Sequence, residues 1–481
     1  MKSRTNVFVN LIWRFAERCG SQLVQLLVSI VLARLLAPEV FGTVSLVIVF
    51  SSILQVFVDS GLGNALIQKK NADDLDFSSV FYFNIVWCIV LYLGVYVMAP
   101  YIATYFNDIS MTPIIRVLCL TVVISGVKNV QQAYVSKTLQ FKKFFYSTAT
   151  GIIVSAIIGI WMAIENYGVW ALVAQKLINI FVDTLVLWIT VEWKPKLIFS
   201  WSRLKSLISY GWKLLASALL DTVYENIVQL VIGKKYNESD LAFYNQGKQY
   251  PYLLVNNINL AIDSVLLPVM SNEQDNRERV KEMTKRAVKT STYIMGPLMI
   301  GLFVTAPYVI KLLLTDKWME CVFYLRVFCI MYMFFPIQTA NLNAIKALGR
   351  SDLFLKLEIE KKVVGIFLLI ITMQFGVKAM TCSLLVGSFI SQMINSRPNK
   401  KLLNYGYIDQ LKDIFPNIIL SVFMGVCVGT IARISLSFYI SLIVQIFVGV
   451  MVYVLGSIIM KNESYIYLKG IIMSFVIKRR K

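Results

Sequence analysis

Three kinds of polar side chain recur at helical spacing inside otherwise apolar stretches of this sequence. The cations are Arg14, Arg18, Lys128, Lys213 and Lys248, and the carboxamides are Asn245, Gln249, Asn256 and Asn259. The acids are Glu17, Asp183, Asp221 and Glu225. Ammonium and guanidinium groups hold phosphate-type anions. Carboxamides both donate to and accept from hydroxyl groups. A carboxylate in a medium of low dielectric constant takes up a proton or a sodium ion, so these acids are ion-coupling candidates.

Other chemistries lack their residues. The chain has no histidine, and its 7 cysteines lie in apolar runs without a CxxC pair. That argues against zinc, haem and thiol catalysis, so no metal and no cofactor is expected. No G-x-x-x-x-G-K-[ST] loop exists to cradle ATP. Asp74-Leu75-Asp76 matches the D-x-D of metal-dependent glycosyltransferases, but it falls in a short loop with no nucleotide-binding fold around it. No catalytic residue is nominated.

The elements that must carry these side chains are membrane spans. Of the 481 residues, 57% are hydrophobic and 15% charged, against about 25% charged in an ordinary soluble domain. Mean hydropathy is +0.67. Hydropathy and turn signals predict an all-α integral membrane protein of about 14 spans, near 10–36, 41–62, 78–101, 113–135, 146–164, 168–191, 206–232, 241–266, 290–314, 321–346, 354–375, 378–395, 414–433 and 437–460. The basic segment Met1–Asn6 precedes no small-residue cleavage site, so the first span is expected to stay. Roughly 32 of the 47 Lys and Arg fall on one side and about 8 on the other. The rich side, which holds both termini, is predicted to be cytoplasmic. The formal charge of +20 is then topological, and no nucleic-acid partner is expected. The tail after Tyr465 is amphipathic and basic, suited to anionic membrane lipids.

The charges form stripes. Arg14, Glu17, Arg18, Gln22, Gln25 and Ser29 follow one face of the first span, and Asn245, Gln249, Asn256, Asn259 and Asp263 one face of the eighth. About ten ionisable groups fall within the first eight spans, and exposing them to acyl chains costs on the order of 30 kcal/mol. Fold stabilities are about 5–15 kcal/mol, so the stripes must meet each other or water. Spacing allows Arg14 to pair with Glu17, Lys176 with Asp183 and Lys213 with Asp221. Lys128 and Lys248 have no acid nearby on their own helices. Arg34, Asp59 and Asp263 lie at span ends, where they can snorkel. The last third carries few polar residues beyond Ser383, Ser388, Ser391, Gln392 and Gln445 and is expected to meet lipid. Gly296-Pro297, Ala306-Pro307 and Phe335-Pro336 fit either fixed kinks or hinges.

An internal echo spans about 200 residues. Pro38–Gly42 is echoed by Ser239–Phe243, Asp59-Ser60 by Asp263-Ser264, and Lys137–Gln140 by Lys346–Gly349. The expected organisation is two pseudo-symmetric six-helix lobes, residues 1–200 and 201–400, and then two C-terminal helices with a basic tail in 401–481.

Four stretches carry a resemblance: ARLLAPEVFGTVSL at 33–46, DSGLGNALIQKK at 59–70, SSVFYFNI at 78–85 and ALGRSD at 347–352. With these the chain resembles the polysaccharide and O-antigen flippase family, the Wzx-like branch of the multidrug/oligosaccharidyl-lipid/polysaccharide exporter superfamily, close to colanic and teichuronic acid type exporters. The resemblance implies a V-shaped cavity and alternating access. It further implies transfer of undecaprenyl-pyrophosphate-linked oligosaccharide from the cytoplasmic to the outer leaflet of a bacterial inner membrane. A polysaccharide polymerase and a chain-length regulator are the implied protein partners. Under this reading Arg14, Arg18, Lys128, Lys213 and Lys248 bind the pyrophosphate along its route, and the Asn/Gln ladder meets the sugar. Two rivals stay open: a cation-coupled drug antiporter of the same superfamily, and a membrane scaffold of a polysaccharide assembly complex.

Overall fold

Regular structure among the described residues of the computed structural model is entirely helical. Those residues are 2–59, 61–432 and 437–479; side chains are described from 13 onward, except at 14–16, 210, 471, 472 and 475–479. In chain order the helices are α1 (Lys2–Leu35), α2 (Pro38–Asp59), α3 (Leu62–Gln68), α4 (Asp74–Tyr105), α5 (Met111–Leu118), α6 (Leu120–Lys137), α7 (Phe141–Ile164), α8 (Val169–Thr190) and α9 (Trp201–Lys235). There follow α10 (Glu238–Asn272), α11 (Arg277–Leu314), α12 (Cys321–Met333), α13 (Phe335–Ala347), α14 (Ser351–Thr372), α15 (Val377–Leu403), α16 (Tyr407–Ile431), α17 (Phe438–Ile459) and α18 (Glu463–Arg479).

Thirteen helical stretches among the described residues are long and apolar enough to cross a membrane. A further long helix, α14, has 22 residues, and Lys356, Glu358, Glu360, Lys361 and Lys362 make its first half polar. The protein is a multi-pass integral membrane protein.

The two halves repeat in element order. α1 and α9 are 34 and 35 residues long, and each is joined to the next helix by a two-residue turn, Leu36-Ala37 and Tyr236-Asn237. The fourth span breaks at one residue, Cys119, between α5 and α6, and the tenth breaks at one residue, Phe334, between α12 and α13. Pro336 sits in the first turn of α13, where its missing N–H removes no helical hydrogen bond. Pro297 and Pro307 lie within a continuous α11.

Several boundaries differ from the hydropathy reading. α9 and α10 each run 35 residues, because polar turns extend the helices beyond the apolar window. Asp263 therefore lies inside α10 rather than at its end, whereas Asp59 does end α2. Past it, Gly61 holds φ +68°, and a Cβ there would lie 2.7 Å from the Gly211 carbonyl oxygen. Only glycine fits both the left-handed turn and the contact with α9.

The chain forms two compact units, Met1–Ala242 and Phe243–Lys481. In the first, α7 packs along α8 and α1, and α9 packs along α2. One buried cluster joins Leu62, Leu66, Phe77, Phe81, Trp193 and Leu204 at the ends of α3, α4, α8 and α9. Beside it sits the Asp-rich loop. Asp73 caps α4 by accepting from the Asp76 N–H, and Asp76 accepts in return from the Asp73 N–H. Together with Arg203, the Asp76 N–H holds the Asp73 carboxyl below the ordinary carboxylate range. Asp76 has no exposed side-chain surface and pairs with Lys69 at 2.7 Å and Arg203 at 3.4 Å. Asp74 pairs with Lys196 at 2.6 Å and accepts from the Trp193 indole at 3.1 Å. The D-x-D pattern is thus an ionic clamp on the loop before α9.

In the second unit α11 packs against α12, α13 and α16, and α14 packs against α15. Tyr453 donates to the Tyr293 carbonyl at 2.7 Å and ties α17 to α11.

The clamp gives a graded expectation. Asp76→Ala removes the buried carboxylate that holds the Asp73 N–H and Lys69 and is expected to cost about 1.5–3 kcal/mol, the cations themselves staying partly exposed. Asp74→Ala, at a half-exposed pair, is expected to cost about 1 kcal/mol or less. Thermal unfolding of the purified variants in detergent checks the order.

Candidate functional site

The polar residues of the first unit separate into a locked set and an open set. The locked set begins with Lys128 on α6, whose Nζ lies 2.5 Å from Asp183 Oδ2 on α8, both side chains nearly buried. On its other side α8 packs closely against α7, which presents Gly151. A Cβ at that position would stand 2.9 Å from the Asn179 carbonyl and 3.2 Å from Asp183 Cβ. This is small-residue packing, which lets membrane helices approach closely. One turn before Asp183, Asn179 donates to Ser155 of α7 at 3.2 Å. Beside Lys128, Asn129 donates to Asp59 Oδ1 at 3.0 Å, and Gln55 donates to the same oxygen at 3.2 Å. Glu17 of α1 accepts from Thr148 of α7 at 3.5 Å.

Two expected pairings change. Asp183, offered by spacing as a partner for Lys176, pairs with Lys128 instead. Lys128, which lacks an acid on its own helix, finds one 55 residues away on another. Asp59 is held by two amides in the same cluster, so it is more than a snorkelling end residue. The side chain of Arg14 lies outside the described residues, and with it the Arg14–Glu17 pairing.

The open set consists of charges on spanning helices whose side chains remain exposed. Arg18, Lys176, Lys213, Asp221 and Glu225 are all of this kind. Arg18, Lys176 and Lys213 make no ion pair with a described residue, so the Lys213–Asp221 pairing allowed by sequence is not formed. At 1.5 Å per residue, Lys213 and Asp221 lie about 18 and 30 Å from the start of α9.

In the second unit α10 presents its own ladder. Asn245, Lys248, Gln249 and Asn256 are half-buried, and Asn259 is 8% exposed with both side-chain polar atoms lacking a hydrogen-bond partner. Further polar groups are buried where hydropathy predicted lipid contact. Asn341 of α13 donates to Gln410 of α16 at 2.9 Å and accepts from Asn399 of α15 at 2.7 Å. Asn395 and Asn399 are fully buried one turn apart. Asn399 and Gln410 escaped the sequence reading because α15 continues to Leu403 and α16 starts at Tyr407, beyond the apolar windows, and Asn395 stands at the very edge of one. Asn84 of α4 was also missed; it is fully buried with neither side-chain polar atom partnered. A lone Asn inside an apolar span was the available signal.

The arrangement offers cations for an anion, amides for hydroxyls and an acid–base pair for ion exchange, all on helices. The sequence model of a family described as "Polysaccharide biosynthesis protein" matches residues 31–323. The chain is 22% identical over 309 residues to the succinoglycan biosynthesis transport protein ExoT of Rhizobium meliloti (strain 1021), covering 64% of this chain and 63% of that one. It is 25% identical over 306 residues to the teichuronic acid biosynthesis protein TuaB of Bacillus subtilis (strain 168), covering 62% of each. It therefore spans a little under two thirds of the length of these two relatives. The lipopolysaccharide biosynthesis protein WzxC of Escherichia coli (strain K12) is 21% identical over 372 residues, 76% of this chain and 74% of that one. Among solved structures, the lipid II flippase MurJ in an inward closed conformation superposes with TM-score 0.78 at 14% identity, covering 94% of this chain and 99% of that one. An inward-facing MATE multidrug transporter of the MOP superfamily gives TM-score 0.61 at 16% identity, covering 84% and 98%. These two likenesses establish the fold. By the family match over more than half its length, the chain belongs to the polysaccharide biosynthesis protein family, whose fold here is that of the MurJ- and MATE-type transporters.

Proposed function

We propose that this protein is a flippase, not an enzyme, that moves undecaprenyl-pyrophosphate-linked oligosaccharide from the cytoplasmic to the outer leaflet by alternating access. The observation that carries the reading is the open set. Five charged side chains, Arg18, Lys176, Lys213, Asp221 and Glu225, stay exposed on helices of spanning length. Placed against acyl chains they would cost on the order of 12 kcal/mol or more. They face water inside the membrane, and such a surface suits a substrate with a charged, hydroxylated head. The names of ExoT, TuaB and WzxC, each tied to a surface polysaccharide, support that class of cargo.

In this proposal Arg18 and Lys213, with Arg14, receive the pyrophosphate, and Lys248 of α10 holds it further along. Asn245, Gln249, Asn256 and Asn259 exchange hydrogen bonds with sugar hydroxyls, without selecting one sugar. Lys128 is neutralised by Asp183 at rest and becomes available to the anion only when Asp183 binds a proton or a sodium ion. Glu17, Asp221 and Glu225 are the other acids open to ion coupling. The Lys/Arg-rich side, with both termini, faces the cytoplasm of a bacterial cell whose inner membrane holds the protein. The internal repeat divides the transport core near residue 200, and residues 401–481 follow it. A polymerase and a chain-length regulator are the partners such a reaction needs downstream.

Reconstituted flipping of a labelled polyprenyl-linked oligosaccharide tests the assignment. Arg18→Ala and Lys213→Ala, at exposed unpaired positions, are expected to leave expression unchanged and to lower the rate at least about tenfold. Wild-type rates in both remove the cation assignment. The buried pair gives a second test. Lys128→Ala alone is expected to lose about 3–5 kcal/mol of stability by stranding Asp183. Lys128→Met with Asp183→Leu is expected to regain stability near wild type and still flip poorly. A double variant that flips normally makes the pair a strut only.

A further inference from the structure

The first four turns of α11 carry six cations against two acids, Glu278 and Glu282. Lys281, Lys285, Arg286 and Lys289 line one side of a cleft of about 530 Å³, and Ser464 and Tyr467 of α18 line the other. The volume lies within the range of small-molecule sites, about 300–1,000 Å³. Its cations are held differently. Lys289 is committed, 2.8 Å from Glu463 and 3.2 Å from Asp413. Lys285 touches Asp413 at 3.3 Å but keeps nearly half its side chain exposed. Arg286 stacks on the Tyr467 ring, 4.8 Å from its centroid, and makes no ion pair with a described residue. Stacking orients the guanidinium while leaving its N–H groups available.

Charge and surroundings narrow the ligand. Lys281 is paired with Glu278 at 3.2 Å, and Asp413 reaches both Lys285 and Lys289, so among the lining cations Arg286 alone makes no ion pair with a described residue. One uncommitted guanidinium matches a singly charged phosphodiester better than a pyrophosphate or a nucleotide. A smaller hollow of about 200 Å³ shares Lys289, Glu463 and Ser464 and continues to Pro416 and Met460. Pro416 is exposed there and Met460 is 48% accessible. A cationic cleft that continues onto apolar side chains of α16 and just past α17 suits a lipid headgroup whose chains run that way.

We infer that the cleft between the start of α11 and α18 binds the phosphodiester headgroup of an anionic phospholipid. Arg286 and Lys285 grip the phosphate oxygens, and the chains lie over α16 and the end of α17. The site is separate from the charges assigned to transport, and it does not depend on the identity of the cargo.

Native mass spectrometry of the full chain in neutral detergent tests this, with added phosphatidylglycerol, phosphatidylcholine, inorganic phosphate or undecaprenyl pyrophosphate. Retention of phosphatidylglycerol over phosphatidylcholine is expected, and Lys285→Gln/Arg286→Gln is expected to weaken it about tenfold. Lys400→Gln/Lys401→Gln removes the same charge at two exposed residues away from the cleft and is expected to leave retention unchanged. Arg286→Gln alone is expected to show part of the loss, and melting temperatures without lipid verify that the variants fold. Equal loss in the control variant would falsify a specific site. Equal binding of phosphatidylcholine or of free phosphate, or a loss of undecaprenyl pyrophosphate in Lys285→Gln/Arg286→Gln as large as that of phosphatidylglycerol, overturns the assignment to an anionic phospholipid.

Discussion

A polar group inside a bilayer has two stable environments, a protein partner or water, and the structure is arranged around that choice. In the first unit Lys128 and Asp183 take the first option. They lie on different helices, nearly buried, 2.5 Å apart. In the second unit Asn341, Asn399 and Gln410 do the same with neutral amides. Arg18, Lys213, Asp221 and Glu225 take the second, staying exposed on helices that cross the membrane. The locked groups fix which helices are neighbours.

The locked contacts depend on backbone approach, and approach depends on small residues. Gly151 removes the side chain that would push α8 away from α7, beside the turn of α8 that carries Asp183. Gly61 does the equivalent at the break after α2, where the chain turns against α9. One-residue breaks recur at Cys119 and Phe334 in the fourth and tenth spans, so each half keeps an interrupted helix at the same place in its order. Interrupted spans expose backbone groups that need local partners, which makes them tolerable only inside protein.

Much of the architecture was legible in the sequence because burial in lipid writes itself as long apolar runs. The spans and the weak internal echo follow from local pattern. Span ends were not legible, since a helix does not stop where hydropathy does. Asn399 and Gln410 fall outside the apolar windows yet inside α15 and α16. Ion pairing was the other blind spot. Helical spacing offers Lys176 to Asp183, but which lysine reaches Asp183 is decided by how α6 and α8 face each other, and that is tertiary information. The Asp73–Asp76 loop shows the converse error. Its D-x-D spacing imitates a metal site, while the neighbouring Lys69, Lys196 and Arg203 consume every carboxylate as an ion pair.

Under the proposed function, the contrast between Asp76 and Lys213 explains why stability and transport need not compete. Asp76 has no accessible side-chain surface and two cationic partners, so any change to it is felt by the loop that α9 starts from. Lys213 sits exposed along the same α9, some eighteen ångströms further on by about 1.5 Å per residue. A binding surface for a passing anion must leave its cations incompletely satisfied until the substrate arrives, since a group already saturated has nothing to exchange. A fold whose charges were all of the Asp76 kind would be stable and inert. One whose charges were all of the Lys213 kind would lack the cross-links that set its helices. Placing the clamp at the base of α9 and an open cation along its length lets one helix serve both needs.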